Sequence, residues 1–481
     1  MKNVATARVN HASETDCIGQ TLLFPELTAK TVTVNFEGGQ VSSDGGGVLL
    51  ARLDRSYGYL QRFAACFRDH RDPELIEHQL LEVLRQRTYA MALGYEDLND
   101  HDRLRADPLL ASLCGKEDPL GQDRERDQDK GKALAGKSTL NRLELTPADA
   151  NAASRYKKIV GDPEALEDYF IDEWVRSLAK DAHKVILDLD RTDDPLYGEQ
   201  EGRFFHGYYE QYCYTPLYIF AGDWPVVAAL HTAESEHLAE VVRLLGKILE
   251  RVRRRRPQLR VVLRGDSGFC RKELMSWCEH NGVKYVLGLA RNAVLERIVR
   301  GSLRSAKSML AFNGSQRERV YKDFRYGAKS WGRPKRRVVG KAEWTKEGAN
   351  PRFVITNFTA QEHAAQELYE EVYCARGNME NRIKEQKLDL FAGRTSTATL
   401  RANQLRLWLS TLAYLLVNQL RRVGLAGTKL AQATCGTIRL RLLKIGAVVR
   451  VTARRLWVQL SSAYPLQELF AAVSQRLCLV T

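Results

Sequence analysis

A chain of 481 residues, 44% of them hydrophobic, can bury a sizeable core and is read as a globular protein of roughly two to four domains. Its 73 Lys and Arg against 59 Asp and Glu leave a net charge of +14, a bias toward polyanions that makes nucleic acid the first partner to consider. The nine cysteines lack zinc-ligand spacing, residues 1–17 lack the apolar stretch of a secretory signal, and the most apolar run, 407–417, is about half the ~20 residues that span a bilayer. These features point to a cytoplasmic protein with reduced thiols and no membrane partner, and to a buried helix at 407–417.

Residues 1–45 form a predicted polar arm with one short strand over 31–36, where Val32, Val34 and Phe36 alternate with polar residues. The glycine-rich stretch from Gly38 to Gly47 fits a turn feeding a helix better than a phosphate cradle, because no Lys-Ser or Lys-Thr follows it. Residues 46–178 are predicted as a helical DNA-binding region. Apolar residues recur there at three- and four-residue intervals as far as 115, whereas 116–137 are charged and unpatterned, as in a solvated loop. Within that loop Gly131-Lys132-Ala133-Leu134-Ala135-Gly136-Lys137-Ser138 matches the phosphate-loop pattern GxxxxGK[ST]. Such a loop needs a buried strand running into it, which the charged run 123–130 cannot supply. An ATP-driven DNA enzyme using Gly131 to Ser138 is therefore kept only as an alternative.

From 183 onward the texture changes to short strands, over 185–189, 203–210 and 214–221, each able to join its neighbour as an antiparallel meander. A helix over 236–254, a strand over 260–264, a helix over 271–281 and a strand over 283–289 follow. Three antiparallel strands and then alternating helix and strand is the order of a ribonuclease H-like fold. The predicted class is α/β, with a catalytic core over 179–309 and 359–425. That core is interrupted by a basic, β-rich insertion over 310–358 that includes Tyr326 and Trp331. Helical patterns return over 361–387 and 399–422, and a helical C-terminal region over 426–481 contains one strand-like run, 447–460.

Three acids carry the candidate chemistry. The two-residue period places Ile186, Asp188 and Asp190 on one strand face, and two carboxylates there are costly unless a metal ion, an arginine or solvent satisfies them. The apolar strand at 260–264 breaks at Gly265 and delivers Asp266 at its C-terminal end, either as a metal ligand or as a cap on the next helix. On the helix over 361–387, Tyr373, Arg376, Glu380, Lys384 and Lys387 fall within an arc of about 80°, unless Gly377 starts a new element. The alternative for that stripe is a solvated face of Glu–Lys pairs.

Phosphodiester cleavage or transfer suits such a set. Two Mg²⁺ ions about 3.5–4 Å apart stabilise the attacking and leaving oxygens, and hard carboxylate oxygens suit Mg²⁺, for which Mn²⁺ can substitute. Arg251, the arginines over 253–256 and the cations of 310–358 would hold the DNA backbone, and Tyr326 and Trp331 could stack on unpaired bases. A DNA-binding protein whose acids are only structural is the non-catalytic alternative.

Asp190-Arg191-Thr192, the turn Arg264-Gly265-Asp266-Ser267-Gly268, and Tyr373-x₂-Arg376-x₃-Glu380-x₆-Lys387 resemble the DDE insertion-sequence transposases that carry a Tyr-Arg-Glu-Lys signature. GYEDLNDHDRLRADP (94–108), LDLDRTDDPLYGEQEG (187–202), NMENRIKEQKLDLFAGRTS (378–396) and TIRLRLLKIGA (437–447) resemble the thirteen-eighty insertion-sequence family. The resemblance implies that Asp190, Asp266 and Glu380 bind the catalytic metals, with Tyr373, Arg376 and Lys387 on DNA near the cleaved end. It also implies a β-strand insertion before the glutamate, terminal-repeat DNA and target DNA as partners, a homodimer joining two ends, a hairpinned intermediate and a nucleoid location. Arg191 stands where the family carries a small or acidic residue, so Asp188 remains an alternative ligand.

Overall fold

The computed structural model describes residues 22–479 apart from 25–27, 29, 31, 235 and 333. Of the strand expected over 31–36, Val32–Val34 forms and pairs with Leu22–Phe24; Thr31 lies outside the described residues.

Apolar spacing dictates the helices of the N-terminal part. Gly47–Tyr57, Tyr59–Ala64, Leu80–Leu93 and Pro108–Cys114 bury leucine-rich stripes against one another. Asp107 caps the last of these by accepting the Leu110 N–H at 3.0 Å, with Pro108 in the first helical turn, where no N–H is needed. The region is not purely helical as predicted: Phe67–Asp69 and Ile159–Gly161 pair antiparallel. Three-residue strands are too short to show a period.

The charged run 116–137 is also not wholly solvated. Ala133, Leu134 and Ala135 are buried, and the Gln86 amide clamps Ala135, accepting its N–H at 3.0 Å and donating to its carbonyl at 2.7 Å. The Leu134 N–H donates to the Arg105 carbonyl. No strand enters this segment, and the amides of Gly131, Lys132, Leu134, Ala135 and Lys137 already donate within the fold, so the phosphate-loop geometry that an ATP site needs is not formed.

A nine-stranded sheet organises the rest. Its order is Trp224–Ala229, Leu217–Ala221, Lys184–Arg191, Arg260–Gly265, Lys284–Leu289, Arg352–Thr356, Arg336–Thr345, Arg317–Tyr326, with Gly348–Ala349 pairing beside Arg336–Thr345. Among the first three, Leu217–Ala221 runs antiparallel to both neighbours; the next two run parallel to Lys184–Arg191, and the last three add antiparallel, each to the strand before it. The strands expected in 310–358 thus continue this same sheet beyond Lys284–Leu289.

One expectation for the meander is corrected. Its members are Leu217–Ala221 and Trp224–Ala229. The predicted strand over 203–210 instead yields Phe204–His206, which joins Gln211–Tyr214 and Asp194–Pro195 in a separate three-stranded sheet. A run of aromatics resembles a core strand by composition, yet both Phe204 and Phe205 are exposed.

Leu238–Arg255, Lys272–His280 and Ala293–Asn313 connect the sheet's later strands, and Leu400–Gln419 is buried almost all round, as the 407–417 run required. Among the described residues no helix is long and apolar enough to cross a membrane. The run 447–460 is a hairpin, Ala447–Val451 with Leu456–Leu460, and it pairs with Gln40–Ser42 near the other end of the chain. Cys114, Cys213, Cys270, Cys278 and Cys435 are buried thiols outside any disulfide.

Candidate active site

Sheet register brings the first two acids together. In the parallel pair, Arg264 stands opposite Asp188 and Gly265 opposite Leu189, so Asp190 and Asp266 leave the same end of neighbouring strands. The third acid comes from a helical segment spanning 365–389, whose course tightens and widens: a π-turn at Leu368–Tyr373, a 3₁₀ turn at Cys374–Arg376, then an α-helix at Gly377–Lys384. Gly377 does start the regular helix, as its low propensity warned. The backbone before it is still right-handed helical, and Arg376 Nη2 still reaches Glu380 Oε1 at 3.2 Å.

Close approach fixes this segment on the sheet edge. A Cβ at Gly288 would meet the Tyr373 hydroxyl at 2.8 Å and the Ser267 nitrogen at 2.9 Å, so only glycine leaves room for Tyr373 beside the Asp266 turn. Arg264 adds a second tie. Its Nε and Nη2 hold both oxygens of Asp188 at 2.6 and 2.7 Å, and its Nη1 donates to the Val372 carbonyl at 2.6 Å. Asp188 is therefore buried and fully engaged.

Arg376 lies among the acids. It is 3.3 Å from Asp190 and 3.2 Å from Glu380, and Asp266 adds to the negative field around it. Burial alone would weaken its charge, but that field outweighs burial and holds the guanidinium protonated. Burial pushes Asp190 up to about 6; Arg376 opposes the rise, while Asp266 and Glu380 add to it. Tyr373 is also raised by burial, with Asp266 adding to the rise and Arg376 opposing it. Among the described residues no three His, Cys, Asp or Glu side chains are gathered closely enough to hold a metal ion as they stand. The charge of Arg376 bridges Asp190 and Glu380 instead.

Lys387 Nζ donates to Thr192 Oγ1 at 3.1 Å and to the Asp193 carbonyl, and lies 3.5 Å from buried Asp194. Burial pushes Asp194 up to about 7, against the pull of Lys387. Lys384 is exposed, and with Asp190, Thr192, Glu380 and Lys387 it lines a cleft of 380 Å³. A larger cleft of 830 Å³, lined by Asp97, Lys137, Arg142, Glu144, Tyr156 and Arg394 among others, shares no lining residue with it.

The family described as "Transposase DDE domain group 1" matches residues 24–480, nearly the full length. The chain belongs to this DDE transposase family. No curated protein matches it at a significant level. The transposase is therefore a DNA-binding, DNA-recombining protein of a family that works with divalent metal ions. The side chains present fit such ions in kind: Asp190, Asp266 and Glu380 offer hard carboxylate oxygens, and burial, with Asp266 and Glu380 adding to it, makes a bare negative charge on Asp190 costly unless a cation is near.

Sequence reasoning overlooked Arg264 in the transposase. Its signal was available, since a cation two residues before Asp266 on an otherwise apolar strand needs a partner, and Asp188 is its register mate. The proposed base-stacking pair of 310–358 is also used otherwise. Trp331 is buried, Tyr326 packs edge-on against it at 5.6 Å, and the Tyr326 hydroxyl accepts from Asn292 at 3.2 Å. Several cations of that segment are paired as well: Arg336 with Glu279, Arg337 with Asp323, and Arg319 with Glu343 and Glu370. Arg317, Arg325, Lys329 and Lys335 stay exposed.

Proposed function

We propose that this transposase binds the terminal inverted repeats of an insertion sequence of the thirteen-eighty type, cleaves the ends, and joins them to target DNA by two-metal-ion phosphoryl transfer. Asp190, Asp266 and Glu380 would hold two Mg²⁺ ions, with Mn²⁺ able to substitute. The observation that carries this reading is the bridging of Asp190 and Glu380 by the single guanidinium of Arg376, with the charge of Asp266 also felt there. Bound ions would supply Lewis-acid stabilisation of the attacking and leaving oxygens.

The remaining steps belong to the chain's own residues. Arg376, released from the acids, would pair with the phosphate beside the scissile bond, a geometry its planar fork suits. Tyr373, Lys384 and Lys387 would hold the same DNA end on the adjoining helix face. Asp188 is occupied by Arg264, which favours Asp190 as the ligand. The strand order, three antiparallel strands followed by two parallel ones, supports a ribonuclease H-like core, with the strands from 317 to 356 as its β-rich insertion. On this reading 46–178 binds the repeats, 426–481 closes the fold with the N-terminal arm, and two copies act together because two ends must be joined.

The test is incubation of the full chain with DNA bearing both element ends. Nicked and joined products are expected with Mg²⁺ or Mn²⁺, and none after chelation. A protonated Asp190 is neutral and a poor ligand, so yield at subsaturating metal should drop steeply as pH falls below about 6. Binding without any metal-dependent product would leave only a DNA-binding protein with structural acids, and DNA-stimulated ATP hydrolysis would reopen the Gly131 to Ser138 alternative.

A further inference from the structure

Between Asp194 and Tyr214 the chain leaves the main sheet and builds the small three-stranded sheet, with a turn over 207–210 at its tip. Its surface is unusual for an exposed excursion. Tyr197 is 94% exposed, Tyr208 84%, Phe205 49%, Phe204 47% and Tyr212 42%. From 197 to 212 there is no Leu, Ile, Val or Met, so the apolar surface offered is aromatic throughout. One arginine and one histidine lie among the rings, with Glu199, Glu201 and Glu210 beside them: Arg203 lies 3.8 Å over the Tyr212 ring, and His206 packs against Tyr209 at 4.8 Å.

This patch borders the acids. Gln211 Nε2 donates to Asp193 Oδ2 at 2.6 Å, and Tyr209 is pushed up to about 12 by burial and by the charges of Asp193 and Asp190. Leaving five large rings in water wastes apolar surface unless a partner covers them. Flat π-faces with an adjoining arginine suit stacked nucleobases, which every unpaired base can supply regardless of sequence. Aromatic-rich patches also serve protein partners; what favours bases here is the position of the rings beside Asp193 and Asp190.

We infer that the aromatic hairpin centred on Phe205 and Tyr208 is a stacking platform for unpaired DNA bases next to the phosphate being cleaved. This rests on the DNA-processing reading above and assigns to the hairpin the role that buried Trp331 cannot play. The bases concerned are those that lose their partners when a duplex end is opened at the acids. The hairpin holds them aside while the backbone stays at Asp190, Asp266 and Glu380.

The experiment measures affinity of the full chain for a fluorescent oligo-dT twenty-mer by anisotropy, with EDTA present and at two salt concentrations. Phosphate attraction weakens steeply with salt, whereas stacking persists. The Phe205→Ala/Tyr208→Ala variant is expected to bind on the order of tenfold or more weakly at both salts. Tyr208→Ala alone, at a position too exposed to support the core, should show part of that loss, and Tyr208→Phe should restore it. Wild-type affinity in both alanine variants, or no oligo-dT binding by the wild type, would overturn the inference. So would an altered oligomeric mass in light scattering with unchanged oligo-dT affinity, which would give the patch to a second copy of the chain. Because chelator removes metal chemistry from this assay, its failure leaves the cleavage reading intact, and a protein that never cleaves could still show the stacking loss.

Discussion

Asp266→Asn is expected to abolish metal-dependent cleavage of end-bearing DNA while DNA binding persists. The substitution keeps size and hydrogen-bonding shape, including an oxygen able to accept the Gly268 N–H that Asp266 accepts at 2.9 Å, so the turn should survive. What is lost is one negative charge at the end of the Arg260–Gly265 strand, where the proposed ions sit beside Asp190. Ion-held stabilisation of the transition state is worth several kcal/mol, and each ~1.4 kcal/mol is tenfold, so the rate should fall roughly a thousandfold or more. Comparing single-turnover nicking with affinity for the same DNA separates this from a folding defect. Nicking at the wild-type rate would remove Asp266 from the machinery.

Asp188→Ala should act on a different property. Asp188 and Arg264 are both buried and bonded twice to each other, and the same guanidinium holds the Val372 carbonyl at the start of the Glu380-bearing segment. Removing the carboxylate leaves an uncompensated buried cation, a change that costs about 3–5 kcal/mol. Urea denaturation should show that loss, and amide exchange in 365–389 should speed up because the tie to the sheet is weakened. Replacing both partners, as in Asp188→Leu/Arg264→Met, should recover most of the stability, since a well-packed apolar pair avoids the desolvation penalty. Were Asp188 a metal ligand instead, Asp188→Ala would lose Mn²⁺ affinity and keep its stability.

Much of the core was legible because its signals are local. Alternation around Leu187 and Leu189, the Gly265 break before Asp266 and the i, i+4 placement of Arg376 and Glu380 follow directly from strand and helix geometry. Features that depend on partners distant in sequence were not legible. The pairing of Phe67–Asp69 with Ile159–Gly161 and the continuation of one sheet through Arg317–Tyr326 are set by tertiary contacts that no window of residues contains. The helix Ala293–Asn313 drew no expectation although it is amphipathic; Gly301, Ser302, Ser305 and Ser308 weaken its pattern, and only Leu295, Val299 and Ala306 are buried. Composition misled at two places. Phe204 and Phe205 read as core but face solvent, while Trp331 and Tyr326 read as exposed stacking groups but pack together. Neither periodicity nor charge distinguishes an aromatic that fills a core from one that awaits a base.

Arg376 presents the sharpest question about the site, because one side chain now occupies the space that the proposed chemistry assigns to cations. Anomalous scattering from Mn²⁺ in crystals of the full chain bound to end-bearing DNA addresses it directly. The expected result is manganese coordinated by oxygens of Asp190, Asp266 and Glu380, with the Arg376 guanidinium moved onto the DNA backbone. Manganese bound elsewhere, with Arg376 still between Asp190 and Glu380 in the presence of DNA, would contradict the shared-metal account.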